Sequence, residues 1–151
     1  MEPVINKVFK GDNYFLTSLG NSVYFDGSLI MEIINLIENE GVKEIKFILS
    51  DDNKIFQDAY GDKKFAVLTG LESFYGDVAC QMKQPVQQWH MKYSGALTIP
   101  NHLNKKIEEL RSNLCDRNLA EVKIDYKIFN RQRQKFITRR NNLYKQMMSL
   151  N

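Results

Sequence analysis

Cysteine is scarce in this chain: Cys80 and Cys115 are the only two in 151 residues. They form no Cys-x-x-Cys pair. The start, Met1-Glu2-Pro3-Val4, lacks a basic stretch followed by an apolar one and does not read as a secretion signal. Two cysteines without an export signal are expected to be free thiols in a reducing cytoplasm. No apolar run approaches the roughly 18–20 residues of a membrane span. There is also no Walker motif and no G-x-G-x-x-G, which removes the usual phosphate-cradling loops. No internal repeat and no Pro/Gly/Ser-rich linker divides the chain, so residues 1–151 are expected to form a single domain.

What is present is the composition of a globular protein, 43% hydrophobic and 26% charged. The formal charge of +3 is unevenly spread. Lys127, Arg131, Arg133, Lys135, Arg139, Arg140 and Lys145 fall in one stretch that holds no acidic residue, leaving the rest of the chain net acidic. Such a segment attracts phosphate, anionic surfaces or acidic partners, although a solvated helix face is the plainer reading.

Periodicity outlines the elements. Tyr14-Phe15-Leu16 is a short apolar run ending at the turn dipeptide Gly20-Asn21, and reads as a buried strand. Asp26 or Ser28 can cap a helix carrying Leu29, Ile30, Ile33, Ile34 and Ile37, with Gly41 at the left-handed stop. A strand follows at once over Lys43 to Leu49, which suggests an α/β unit with a parallel sheet. Ser50-Asp51-Asp52-Asn53 closes it, and Ile55-Phe56 opens a short helix. Residues 62–98 are ambiguous: Ala66-Val67-Leu68 suits strand or helix, and Glu72 to Met82 suits a helix weakened by Gly76. After Pro100-Asn101, Leu103, Ile107, Leu110 and Leu114 mark an amphipathic helix. Val122 to Phe129 alternates as a half-buried strand. Residues 131–150, with Phe136, Leu143, Met147 and Leu150 on a stripe, are expected to form a basic C-terminal helix.

Three blocks in this order resemble the β-class carbonic anhydrases, zinc enzymes that hydrate carbon dioxide. The first runs from Gly11-Asp12 through the apolar Tyr14-Phe15-Leu16 to Gly20-Asn21, with Thr17-Ser18-Leu19 in place of the family's Arg-Asn-Ala. The second is the helix from Ser28, Gly41-Val42-Lys43, the strand, and then Ser50-Asp51-Asp52-Asn53 where the family has Gly-His-Ser-Asp-Cys-Gly. The third is the helix around Leu103 to Leu114 with the strand ending at Ile128-Phe129-Asn130. Together they cover most of residues 11–137. The resemblance implies a three-layer core with a mostly parallel sheet flanked by helices, shortened at the N-terminus. It also implies dimers, so a homodimer is expected.

The departures remove the chemistry. The family holds zinc with two cysteines and a histidine, because zinc takes tetrahedral N and S donors and lowers the pKa of its water to about 7. The match puts Ser50 at the histidine and Asn53 at the second cysteine, and neither a hydroxyl nor an amide replaces those donors. Asp52 is retained beside them. The first cysteine belongs to a Cys-x-Asp-x-Arg motif upstream of the Gly-Asp block, and the ten residues before that block contain no cysteine. No metal and no cofactor are therefore expected, and the reading leans away from catalysis.

Other residues offer weaker sites. Cys80, His90, His102 and Cys115 lack the compact pairs that mark zinc sites, and buried thiols with surface or capping imidazoles explain them more simply. Asp51 and Asp52, with Asp58 and Asp62, could suggest magnesium at a strand end, but a cap for the following helix by Asp51 or Asp52 is plainer. Ser50 lacks the glycines of a nucleophile elbow. Trp89, His90 and Tyr93 could line a pocket with Asp51, or simply pack together. Three functions are thus weighed. The first is a non-catalytic carbonic-anhydrase-like protein with a structural, regulatory or interaction role and an unidentified protein partner. The second is a small-anion binder or enzyme at Ser50–Asn53. The third is a nucleic-acid or anionic-surface binder through Lys127–Lys145, which no recognised nucleic-acid motif favours.

Overall fold

A computed structural model describes residues 1–82, 95–115 and 121–137. Among these residues the chain forms five α-helices, one 3₁₀ turn and a three-stranded mixed sheet. The order is α1 (Glu2–Val8), the 3₁₀ turn (Leu19–Asn21), α2 (Gly27–Asn39), β1 (Glu44–Ser50), α3 (Lys54–Tyr60), α4 (Glu72–Met82), α5 (Gly95–Leu114), β2 (Lys123–Asn130) and β3 (Lys135–Ile137).

The local signals explain α2 and β1. The Asp26 carboxylate accepts from the Leu29 N–H at 2.8 Å, satisfying one of the orphan donors of the first turn. Ile30 and Ile34 are buried on one face, with Ile33 and Ile37 packed beside them. Gly41 then takes φ +67°, a left-handed geometry that favours glycine, and the Val42 N–H reaches back to the Leu36 carbonyl at 3.2 Å. The chain turns directly into β1.

β1 and β2 run parallel in the register Ile45 to Ile124, Phe47 to Tyr126 and Leu49 to Ile128. β2 turns through residues 131–134 into antiparallel β3, with Phe129 opposite Phe136. Parallel strands need a long crossover, and α3, α4 and α5 lie within it. α5 lays Leu103, Ile107, Leu110 and Leu114 onto the sheet face of Phe47, Leu49, Ile124 and Ile128, and also meets α2. The opposite face is ionic along β1 and β2: Glu44 pairs with Lys46 and, at 2.8 Å, with Lys123, while Asp125 lies 3.6 Å from Lys127. One apolar face and one charged face give β2 its alternating pattern.

Several sequence expectations need correction. Residues 12–18 hold no ladder, and Tyr14, Phe15 and Leu16 are exposed rather than buried in a strand. Residues 131–137 form a turn and β3, not the start of a helix, because Phe136 pairs with Phe129 across the hairpin. The remainder of the expected terminal helix lies outside the described residues. α5 starts at Gly95, so Pro100 falls inside it and removes one intrahelical bond near its start. Ala66, Val67 and Leu68 sit in turns.

Candidate functional site

Open α/β sheets bind ligands beyond the carboxyl ends of their parallel strands. Here that position is formed by Ser50, the last residue of β1, with Asp51-Asp52-Asn53 after it, and by Asn130, the last residue of β2, with Arg131 after it. Ser50 and Phe129 are register partners, so the two loops emerge side by side.

Each polar side chain of the first loop has an internal partner. The Ser50 hydroxyl donates to the Asp52 carboxylate. Asp51 accepts from the Asn130 side-chain amide and, at 3.4 Å, from the Arg131 N–H. The Asn53 side-chain oxygen Oδ1 accepts from the Ile55 and Phe56 N–H groups at 3.0 and 3.1 Å, so Asn53 caps α3. The cap expected of Asp51 or Asp52 is thus made by Asn53. Asp51 and Asp52 instead tie the first loop to the second and to Ser50.

The Arg131 guanidinium lies 3.5 Å from Asp52. The Ser50 hydroxyl bond holds the Asp52 carboxyl below the ordinary carboxylate range; burial opposes it, and the positive charge of Arg131 adds to the lowering. A carboxylate so stabilised is a poor general base. Ser50 itself is buried, which withholds its hydroxyl from a substrate. The arrangement can order two loops and display Arg131 to an anion; it does not assemble a nucleophile with its base.

The other expected site residues scatter. Cys80 and Cys115 are free and exposed, not buried. His102, expected at a surface or cap, is fully buried. Asp58 accepts from the Tyr75 hydroxyl and from the Lys64 and Phe65 N–H groups at 2.9 Å, which makes it an organiser of the α3–α4 connection. Lys127 belongs to the ionic sheet face, whereas Arg131, Arg133 and Lys135 are exposed near the hairpin turn. Trp89, His90, Arg139, Arg140 and Lys145 lie outside the described residues. Among the described residues, no three His, Cys, Asp or Glu side chains converge to hold a metal ion. No described helix is long and apolar enough to cross a membrane.

Sequence reasoning missed two features. One is the buried His102, whose place among the α5 leucines carried a signal: it is adjacent to Leu103 and four residues before Lys106. The other is a groove of about 1290 Å³ along β1, bordered by residues 1–18, α2 and β1. No protein-family model, curated protein or solved structure matches the chain.

Proposed function

We propose that this chain is a degenerate, metal-free relative of the β-class carbonic anhydrases that acts as a structural, regulatory or interaction protein rather than as a catalyst. The observation that carries this reading is the occupation of Ser50 and Asn53. The hydroxyl at the family's histidine position serves Asp52, and the amide at its cysteine position caps α3. Neither supplies the N or S donor that zinc requires. The glycine-asparagine turn also supports the reading: Asn21 donates its side-chain amide to the Ile48 carbonyl of β1 at 3.0 Å, tying the first resemblance block to the second.

A three-layer carbonic-anhydrase-like core, a cytoplasmic setting and a homodimer belong to the same proposal. The parallel pairing of β1 with β2 agrees with the first, as does α2 entering β1 through Gly41.

The test is metal analysis of protein purified without added zinc, paired with a carbon dioxide hydration assay. Substoichiometric zinc and hydration at the uncatalysed rate are expected. Stoichiometric zinc accompanied by hydration would overturn the proposal.

A further inference from the structure

The hairpin between β2 and β3 presents five successive exposed residues, Arg131-Gln132-Arg133-Gln134-Lys135. All five carry long side chains that donate hydrogen bonds, and none is apolar or acidic. The backbone beneath them is tied down. Asn130 gives its side-chain amide to Asp51 and accepts from the Arg133 N–H at 2.6 Å. Gln134, at φ +50°, donates its amide to the Arg131 carbonyl at 2.7 Å. Behind the turn, the rings of buried Phe129 and half-buried Phe136 meet with centroids 5.4 Å apart. The aromatic pair anchors the hairpin, and the tip that remains outside is wholly polar.

The tip carries more positive charge than this chain can answer. Arg131 lies 3.5 Å from Asp52, but its side chain is 67% exposed, which makes the pair weak. Among the described residues, no carboxylate comes within 4.0 Å of Arg133 or Lys135. Outside the described residues the sequence holds one acid, Asp116, against Lys83, Lys92, Arg117, Arg139, Arg140 and Lys145. Those segments therefore lack the carboxylates to neutralise the tip. The stretch directly after β3 adds three further cations and no acid.

We propose that the β2–β3 hairpin tip is an interface for double-stranded DNA, entering the major groove as a two-stranded ribbon and contacting phosphates with Arg131, Arg133 and Lys135. The major groove, about 12 Å wide, admits such a ribbon. The planar arginine forks match phosphate oxygens with two bonds at once, and Gln132 supplies an amide suited to base edges. Other polyanions fit less well. Single-stranded nucleic acid stacks on exposed aromatic rings, and this hairpin turns its rings inward. An anionic bilayer is held by charge together with apolar insertion, and the tip has no apolar residue to insert. An acidic protein surface docks on buried aromatic or arginine anchors, whereas every residue of the tip is exposed. Asp51 and Asp52 lie beside the tip and repel phosphate, so the binding is weak and sensitive to salt.

The test titrates the full chain into a short fluorescent DNA duplex and follows anisotropy. Binding at about 50 mM salt and a steep loss by about 200 mM are expected. Arg133→Gln combined with Lys135→Gln should weaken binding about tenfold and flatten the plot of log affinity against log salt by about 0.9 per residue. Both side chains are exposed, so the fold is spared. Asp52→Asn should instead tighten binding, by releasing Arg131 and removing a neighbouring negative charge. Lys43→Gln combined with Lys63→Gln removes the same charge from exposed positions outside the hairpin and should change neither affinity nor slope. The proposal falls if the duplex is not bound at about 50 mM salt. It falls equally if the two double variants weaken binding alike, or if the hairpin variant binds as the parent does. Tighter binding to a single strand of the same length, or to phosphatidylserine vesicles, would assign the tip to a different partner and overturn it as well.

Discussion

His102 Nε2 lies 3.2 Å from the backbone oxygen of Asn21, joining the middle of α5 to a turn 81 residues earlier. A carbonyl only accepts, so Nε2 carries the proton. Nδ1 is then a buried lone pair without a hydrogen-bond partner among the described residues. The ring stands edge-on to Phe56 and Phe74, with centroids 5.1 and 5.2 Å away. Because Asn21 also holds the Ile48 carbonyl, this one turn links α5 to the edge of β1.

Burial lowers the pKa of His102 below its ordinary 6.5, and the nearby Lys106 ammonium lowers it further against the opposing Asn21 bond. The unfolded chain therefore binds a proton more readily than the folded one. Stability should be flat above pH 6.5 and fall as pH drops below it toward the folded value. Urea midpoints measured across this range check the slope. His102→Gln, which does not titrate, should flatten it even if the variant is less stable.

Gly20 is buried at φ +62°, and an added Cβ would stand 3.2 Å from the Ile55 side chain. Gly20→Ala should destabilise by more than about 1 kcal/mol through backbone strain and crowding together. The same substitution at Gly41, also at positive φ but with open space around it, isolates the backbone contribution. Equal losses at both positions would remove the contact with Ile55 from the explanation.

Asn53→Ala removes the cap of α3 and should cost about 1 kcal/mol, whereas Asn53→Asp preserves an acceptor and should cost far less. Chemical denaturation of the two variants gives the comparison directly. A negligible loss in the alanine variant would deny Asn53 its structural role.

Tyr75 and Asp58 couple two helices. Burial, followed by the Asp58 carboxylate, pushes the Tyr75 hydroxyl up to about 12. Burial opposes ionisation of Asp58, but the Tyr75 hydroxyl and two backbone N–H groups outweigh it and leave the carboxyl below its ordinary 3.8. The resulting stability is present above pH 3.8 and lost as pH falls through the lower folded value. Tyr75→Phe should destabilise the fold near neutrality, because it removes a hydrogen bond to a charged group. The deficit should narrow in acid, which denaturation at a series of pH values would reveal.

Local chemistry made much of the scaffold legible. Asp26, the isoleucines of α2 and Gly41 define a helix and its stop within some 16 residues, and the alternation from Val122 to Phe129 defines a half-buried strand. The candidate loop was legible as a place but not as an arrangement. Asn53 and the two aspartates are all competent caps, and only the turn after Ser50 decides which one meets the α3 N–H groups.

The amino-acid order alone determined α2, β1, the buried stripe of α5 and the absence of zinc donors at Ser50 and Asn53, because periodicity, capping and ligand chemistry act over a few neighbouring residues. Tertiary structure decided the rest. It buried His102 against a turn far away in sequence, drew residues 135–137 into a hairpin, and left Tyr14-Phe15-Leu16 exposed and outside the sheet formed by the described residues. Those outcomes depend on contacts between distant segments, and hydrophobicity along a short window does not specify which segment will supply the partner.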